Sequence, residues 1–260
     1  MAELIVTTSY HPTGEQIEEA HRLTRRLKAE FAERGDQSVA ALRGDDAHLP
    51  VVVVRRDRWV CQVGELEFFF HPSLAKQRIA GLRKDERDPM VQAMELRPGD
   101  RVLDCTLGLG ADAIVASYCV GAEGAVIGVE NVAVIAEILS RGLSVFRSDL
   151  TILNEAMRRV HVICADHLEY LQAQASDSFD VVYFDPMFAT PLYESRPLLP
   201  LRKLADHRPL RAEAIQEATR VARRRVLVKS NRGSTLLRQL GLPMLQSGTR
   251  SRVEFGIIPL

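Results

Sequence analysis

The chain has 260 residues, with 34 Lys and Arg balanced by 34 Asp and Glu, a formal net charge of zero. Hydrophobic residues at 46% and charged residues at 26% are ordinary globular proportions and exclude a disordered or fibrous chain. No apolar run reaches the roughly 18 residues that span a bilayer, and Glu3 stands where a signal peptide would carry positive charge. Cys61, Cys105, Cys119 and Cys164 lie far apart with no CxxC pair. Reduced thiols in a cytoplasmic protein are expected from that spacing, with no zinc site, disulfide framework or membrane segment.

Residues 1–95 read as a small N-terminal α/β subdomain. A strand at Leu4 to Thr8 precedes Thr13-Gly-Glu-Gln16, which fits a capping box. Ile17, Ala20, Leu23, Leu27 and Phe31 then mark one face of a helix that is expected to end near Gly35. Val51 to Val54 and Trp59 to Val63 predict two strands joined by the charged turn Arg55-Arg-Asp-Arg58. Phe68 to Phe70 is a buried-strand run leading into His71-Pro-Ser73, an expected helix start with His71 as its cap. Arg97-Pro-Gly-Asp100 is a turn, and the boundary to a second domain, 96–260, is placed just before it.

From residue 100 onward strands and helices alternate. Arg101 to Cys105, Ala125 to Glu130, Val160 to Ala165, Asp180 to Asp185 and Arg225 to Ser230 are strand candidates. Asn131 to Phe146 and Arg211 to Ala222 are helical, and a short helix at Thr235 to Leu240 and a strand at Val253 to Pro259 close the chain. This order predicts an α/β fold, a mainly parallel sheet with helices on both faces. Ligands of such sheets bind beyond the carboxyl ends of the strands, which directs attention to the residues there.

Asp104-Cys-Thr-Leu-Gly-Leu-Gly-Ala-Asp112 follows the first of these strands. Gly108 and Gly110 allow a ligand close to the backbone at a helix start, and with Ala113 they also match the dinucleotide fingerprint GxGxxG/A. Asp104 separates the possibilities: a carboxylate at the strand end repels a pyrophosphate but attracts a cation. S-adenosylmethionine, with its cationic amine, its sulfonium and no phosphate, fits between Asp104 and Asp112. Glu130 ends the next strand, 20 residues after Gly110, where a carboxylate can accept both ribose hydroxyl protons. Asp166 ends the third, within reach of an adenine amino group.

Asp185-Pro-Met-Phe188 ends the fourth strand and is close to the Asp/Asn-Pro-Pro-Tyr/Phe motif of methyltransferases acting on exocyclic base amines. The lone pair of such an amine is delocalised into the ring, so the nitrogen is a poor nucleophile. A carboxylate at Asp185 and a carbonyl fixed by Pro186 can accept its two N–H bonds, which restores electron density to the nitrogen. Phe188 can stack on the base and hold the amine in line with the methyl group.

Leu103 to Ala113, Gly128-Val-Glu130, Asp185-Pro-Met-Phe188 and Val226-Leu-Val-Lys229 resemble the bacterial small-subunit ribosomal RNA guanine-N2 methyltransferase family. The resemblance covers roughly residues 68 to 260. It implies a Rossmann-like class I methyltransferase with a seven-stranded sheet, S-adenosyl-L-methionine as cofactor and ribosomal RNA as partner. By motif, the cofactor contacts it implies fall on Ala111, Asp112, Glu130, Asn131, Asp166, His167 and Asp185, beside Asp104, Thr106, Gly108 and Gly110 of the glycine loop. The catalytic residues it implies are Asp185, Pro186 and Phe188. Ala111 and Ala189 depart from the family's arginine and proline.

Two other functions fit parts of the sequence. A nicotinamide-dependent oxidoreductase explains the glycines and Glu130 but leaves Asp104 and DPMF without a task. A non-catalytic RNA-binding protein with a vestigial cofactor fold leaves Asp185 to Phe188 unexplained. Lys229 faces either the substrate or solvent on this reading. The neutral total argues against nucleic acid only until the charge is located. Residues 1 to 98 carry 15 basic and 16 acidic side chains, residues 99 to 186 carry 5 and 13, and residues 187 to 260 carry 14 and 5. The basic excess starts directly after DPMF with Arg196, Arg202, Lys203, Arg208 and Arg211, and is expected to meet RNA phosphates.

Overall fold

The computed structural model describes residues 3–186, 199–245 and 252–260, and in it the β-strands gather into two sheets. The first has strand order β2-β1-β3-β4-β5, built from β1 (Ile5–Thr8), β2 (Glu30–Phe31), β3 (Val51–Val54), β4 (Trp59–Val63) and β5 (Leu66–Phe69). Strands β2, β1 and β3 are parallel, and the two hairpins β3-β4 and β4-β5 are antiparallel. The four valines of β3 are all buried, because Val52 and Val54 face the main core while Val51 and Val53 meet Ile5 on the opposite face. That is why the strand reads as a continuous apolar run without alternation.

Helix α1 (Gly14–Leu27) opens on the expected capping box, in which Thr13 Oγ accepts from the Gln16 N–H and Gln16 Oε1 accepts from the Thr13 N–H. The helix stops earlier than its apolar spacing implies. Lys28 turns left-handed at φ 52°, and Phe31 sits on β2 opposite Val6 of β1. Glu30 and Ala32 donate to the carbonyls of Leu4 and Val6, both at 3.0 Å, so the sheet ladder replaces further helical turns. After the short α2 (Val39–Arg43), the hairpins lead to α3 (Ser73–Leu82) and α4 (Pro89–Met94). Pro72 occupies the N-cap of α3 without a side-chain bond, and His71 lies edge-on to Phe146 with ring centroids 5.4 Å apart. His71 is therefore an exposed ring resting on Phe146 and not the expected cap.

The second sheet holds β6 (Arg101–Asp104), β7 (Ala125–Glu130), β8 (Val160–Cys164), β9 (Phe179–Phe184), β10 (Ala222–Asn231), β11 (Met244–Leu245) and β12 (Val253–Pro259). Its seven strands run in the order β11-β12-β10-β9-β6-β7-β8. The strands from β10 to β8 are parallel, and β12 is antiparallel to both of its neighbours. This is the expected α/β architecture.

Helices α5 (Ala111–Val120), α6 (Ala133–Val145) and α7 (Thr151–Arg158) pack on one face of that sheet. On the other lie α8 (His167–Gln172), α10 (Ala212–Val221) and α11 (Leu236–Gln239), while α9 (Leu199–Leu204) follows β9 in the chain. Alternation along β9 sends Val181 and Tyr183 to the α5 side and Val182 and Phe184 to the α10 side. The N-terminal sheet joins the α5–α6 layer in one hydrophobic cluster. Phe70 lies so close to α6 that a Cβ on Gly142 would meet its ring at 2.2 Å, which requires glycine there. The chain leaves β6 toward β7 and β8 and returns on the other side at β9. The switch point between β6 and β9 thus places Asp104 and Asp185 side by side at the carboxyl edge.

Candidate active site

The loop after β6 is stitched to both neighbouring strands. Cys105 N–H donates to the Tyr183 carbonyl at 2.8 Å, and Leu107 N–H to the Val129 carbonyl at 3.0 Å. Thr106 Oγ1 accepts from the Asp185 N–H at 2.6 Å, so the strand ends carrying Asp104 and Asp185 are fixed to each other. Gly110 is the N-cap of α5 at φ 72°, a left-handed turn that costs a side-chain-bearing residue energy and that glycine adopts freely. Asp104 is buried, and its Oδ1 accepts from the Thr106 N–H at 3.1 Å.

Around these turns lies a cluster of three carboxylates and two cations. Asp112, in the first turn of α5, accepts from Arg78 on Oδ1, and from the Tyr183 hydroxyl at 2.8 Å and Lys229 Nζ at 3.2 Å on Oδ2. Arg78 grips Asp88 from its other side with bonds of 2.7 and 3.0 Å. Asp88 is itself the cap of α4, accepting from the Met90 and Val91 N–H groups. Lys229 also donates to Asp185 Oδ2 at 2.7 Å, whereas Asp185 Oδ1 is buried without a hydrogen-bond partner among the described residues.

The carboxyls respond differently to this setting. Burial pushes Asp104 well above the usual carboxylate range, and the negative charge of Asp112 adds to that. Burial also raises Asp185, to about 6, against the pull of the Lys229 ammonium. For Asp112 burial acts in the same direction, but Lys229 and Arg78 outweigh it and hold the carboxyl well below the usual range. Burial disfavours the Lys229 ammonium, yet Asp112 and Asp185 keep it firmly protonated.

On the β7–β8 side acids are held mainly by backbone. Glu130 accepts from the Gly108 N–H at 3.1 Å and the Val132 N–H at 2.9 Å, and burial leads its upward shift. Asp166 caps α8, accepting from Leu168 and Glu169 at 2.8 and 3.3 Å. His167 packs edge-on to Phe184 at 5.8 Å, and burial lowers its pKa. Asn131 reaches across to Asp206 at 3.0 Å.

These residues line a cleft with two lobes, of about 90 Å³ and about 280 Å³, which share Thr106, Gly108, Asp185, Pro186 and Leu201. Glu130, Asn131, His167 and Asp206 face the smaller lobe, and Arg78, Asp104, Ala111, Asp112 and Lys229 the larger. The larger lobe offers both signs of charge, as a zwitterionic amino acid requires. The smaller offers clamped acids and an aromatic ring, as a nucleoside requires.

Every expected site residue among the described ones lies in or beside this cleft, Asp166 as the cap next to His167. Phe188, Ala189 and Arg196 lie outside the described residues, as does the side chain of Arg202. Asp112 departs from its expected part: its oxygens are occupied by Arg78, Tyr183 and Lys229, and Asp104 is the acid without a cationic partner. Arg208 does not stand free for a phosphate either, since Asp206 and Asp166 hold it at 2.6 and 2.7 Å. Arg78, Tyr183 and Leu201 went unread in the sequence. Strand alternation shared with Val181 places Tyr183 toward α5, but no spacing ties Arg78, 34 residues upstream, to Asp112.

Residues 61–255 match the family model described as "Putative SAM-dependent methyltransferase". YpiP of Bacillus subtilis is 36% identical over 255 residues, covering 98% of both chains. Ribosomal RNA small subunit methyltransferase J of Dechloromonas aromatica is 30% identical over 172 residues, 63% of this chain and 66% of that protein. In fold, the chain is similar to the SAM-dependent methyltransferase NGO1261 of Neisseria gonorrhoeae, with a TM-score of 0.62 at 17% identity, covering 98% of this chain and 95% of that one. A glycine loop, acidic strand ends and a two-lobed cleft at the switch point thus coincide with a family match over most of the chain. The protein belongs to this methyltransferase family and is a class I enzyme that depends on S-adenosylmethionine.

Proposed function

We propose that the enzyme methylates an exocyclic base amine of RNA, with guanine N2 of small-subunit ribosomal RNA as the acceptor. The observation that carries this reading is the state of Asp185. One carboxylate oxygen is held by Lys229, the backbone N–H is held by Thr106, and the other oxygen is buried and unpaired beside Pro186. An amine N–H is the partner that oxygen lacks. The match to a ribosomal RNA small subunit methyltransferase supports ribosomal RNA as the substrate.

S-adenosylmethionine, when bound, supplies an electrophilic methyl group on a sulfonium. In this assignment Glu130 holds the ribose hydroxyls and Asn131, Asp166 and His167 border the adenine. Thr106, Gly108, Gly110, Ala111 and Asp112 surround the methionine portion, and Asp104 meets its ammonium. Asp104 fits the cation well, because a buried carboxyl with no cationic partner gains most from a positive charge beside it. Arg78 and Lys229 provide positive charge for the methionine carboxylate.

Asp185 Oδ1 and the Pro186 carbonyl accept the two amine N–H bonds and orient the nitrogen lone pair toward the methyl group. Asp185 Oδ1 then takes the proton that the nitrogen loses as it becomes alkylated. Lys229 is a positioning residue: it holds Oδ2 so that Oδ1 faces the cleft, and it keeps Asp185 ionised near neutral pH despite burial. Phe188 stacks on the base in this scheme. Lys203 and Arg211, both exposed in the segment after Pro186, contact the RNA backbone.

Incubation with tritiated S-adenosylmethionine and small-subunit ribosomal RNA, followed by nucleoside mass spectrometry, tests the acceptor. The expected product is N2-methylguanosine. Label on another nucleoside overturns the base assignment, and no label on any RNA overturns the RNA assignment.

A further inference from the structure

A second cavity, of about 410 Å³, lies beyond the carboxyl ends of β1 and β2 in the N-terminal sheet and shares no lining residue with the active-site cleft. It also lies almost wholly ahead of the segment that the family model matches, which begins at residue 61. Its most telling wall residue is Arg34. The residue is only 7% exposed, and its Nε and Nη1 have no hydrogen-bond partner among the described residues. Among the described residues, Arg43, Arg159 and Arg225 also bury an unsatisfied nitrogen, but each donates through another nitrogen to a main-chain carbonyl. The Arg34 guanidinium has instead the ring of Tyr10, 4.3 Å away. A buried guanidinium with unpaired donors costs stability, so the fold gains nothing from leaving them open.

The rest of the cavity is suited to a flat ring. Tyr10, stacked on the guanidinium just outside the lining, is 50% exposed, and Ile17 on the cavity wall is 37% exposed. His21 and Phe31, both lining residues, form a tilted pair with centroids 4.1 Å apart. A guanidinium fork matches a phosphate in geometry and charge, and aromatic or guanidinium planes are platforms for a nucleobase. The exposed acids Glu33 and Asp36 at the rim repel a run of phosphates but accept hydrogen bonds from base amines.

We propose that this cavity binds a single nucleotide, its phosphate on Arg34 and its base against the rings of Tyr10, His21 and Phe31. The nucleotide is either free or one unit of an RNA strand. Only the second source rests on the RNA reading above. Calorimetry on the full chain saturated with S-adenosylhomocysteine, which blocks the cofactor lobe, separates the two. Guanosine and adenosine monophosphates form one arm and a five-nucleotide single-stranded RNA the other. Saturable one-to-one binding in either arm is expected, weakened about tenfold or more by Arg34→Gln and about fivefold by Tyr10→Ala. The exposed Tyr10 keeps the test informative if the buried substitution disturbs folding. S-adenosylhomocysteine affinity is expected to stay at the wild-type value in both variants. Binding of a mononucleotide identifies a free ligand and stands whatever the methyl acceptor proves to be; binding of the oligonucleotide alone identifies a strand unit. No saturable binding in either arm, or binding unchanged by both substitutions, overturns the proposal.

Discussion

The two lobes of the cleft hold acids by opposite means. On the β7–β8 side, Glu130 and Asp166 accept from main-chain N–H groups of the loops and helix starts that follow their own strands or cross over from the glycine loop. Such acids are fixed mainly by the fold, with Arg208 adding an ion pair to Asp166. On the β6–β9 side, Lys229 bridges Asp112 and Asp185, Arg78 bonds Asp112, and Asp104 lies beside them without a cationic partner, so most of the bonds run between side chains. Three carboxyls with two cations cannot all be equally ionised in a buried space, so their pKa values spread. Geometry is set in the first lobe and proton affinity is tuned in the second. On the proposed assignment the first lobe takes the nucleoside half of the cofactor, and the second takes its methionine half together with the chemistry.

The largest effect that tests this division is expected from Asp185→Ala. Methyl transfer should fall about a thousandfold while S-adenosylhomocysteine affinity, measured by calorimetry, falls only modestly. Turnover at the wild-type level would break the assignment of chemistry to the β6–β9 side. Lys229→Met removes the cation from two partly buried carboxylates and should cost about 3 kcal/mol of stability in chemical denaturation. It should also move the acid limb of the activity profile to higher pH, because Asp185 loses the charge that opposes its burial.

Asp104→Asn should weaken cofactor binding about tenfold. The sign of its pH dependence follows from its raised pKa. Its raised pKa favours the protonated form in the free enzyme and a cationic ligand favours the ionised form, so binding is linked to proton release and tightens as pH rises through that pKa. Calorimetry in buffers of different ionisation heat should detect that proton in wild type and lose it in the variant; equal release in both would remove Asp104 from the ammonium site. The smallest change belongs to the clamped lobe. Asp166→Ala should cost about 1 kcal/mol as a lost helix cap, without altering the pH profile of transfer. A shifted profile would show that the two lobes are coupled.

The parts of the molecule legible in the sequence share one property: they are set by neighbours in the chain. The glycine loop, the acids ending β6, β7 and β9, and the capping box of α1 are local patterns, and the structure places them where the spacing implies. Phe31 was misread because its fate depends on a strand partner 25 residues upstream, and the β1 ladder took it from the helix. Asp112 looked like a free acid beside the ligand because its partners Arg78, Tyr183 and Lys229 come from α3, β9 and β10. Lys229 remained ambiguous for the same reason. A strand-end lysine is unremarkable alone and becomes informative only when its Nζ is found between Asp112 and Asp185.

Methyl transfer in this scheme depends most on Asp185 acting as an ionised acceptor within that cluster. The direct test is the pH profile of methyl transfer to RNA under single-turnover conditions with saturating S-adenosylmethionine. The rate should rise with pH through an apparent pKa of about 6 and then level off, as Asp185 loses its proton. A rate that does not change across that range, or the same limb retained in Asp185→Asn, would contradict it.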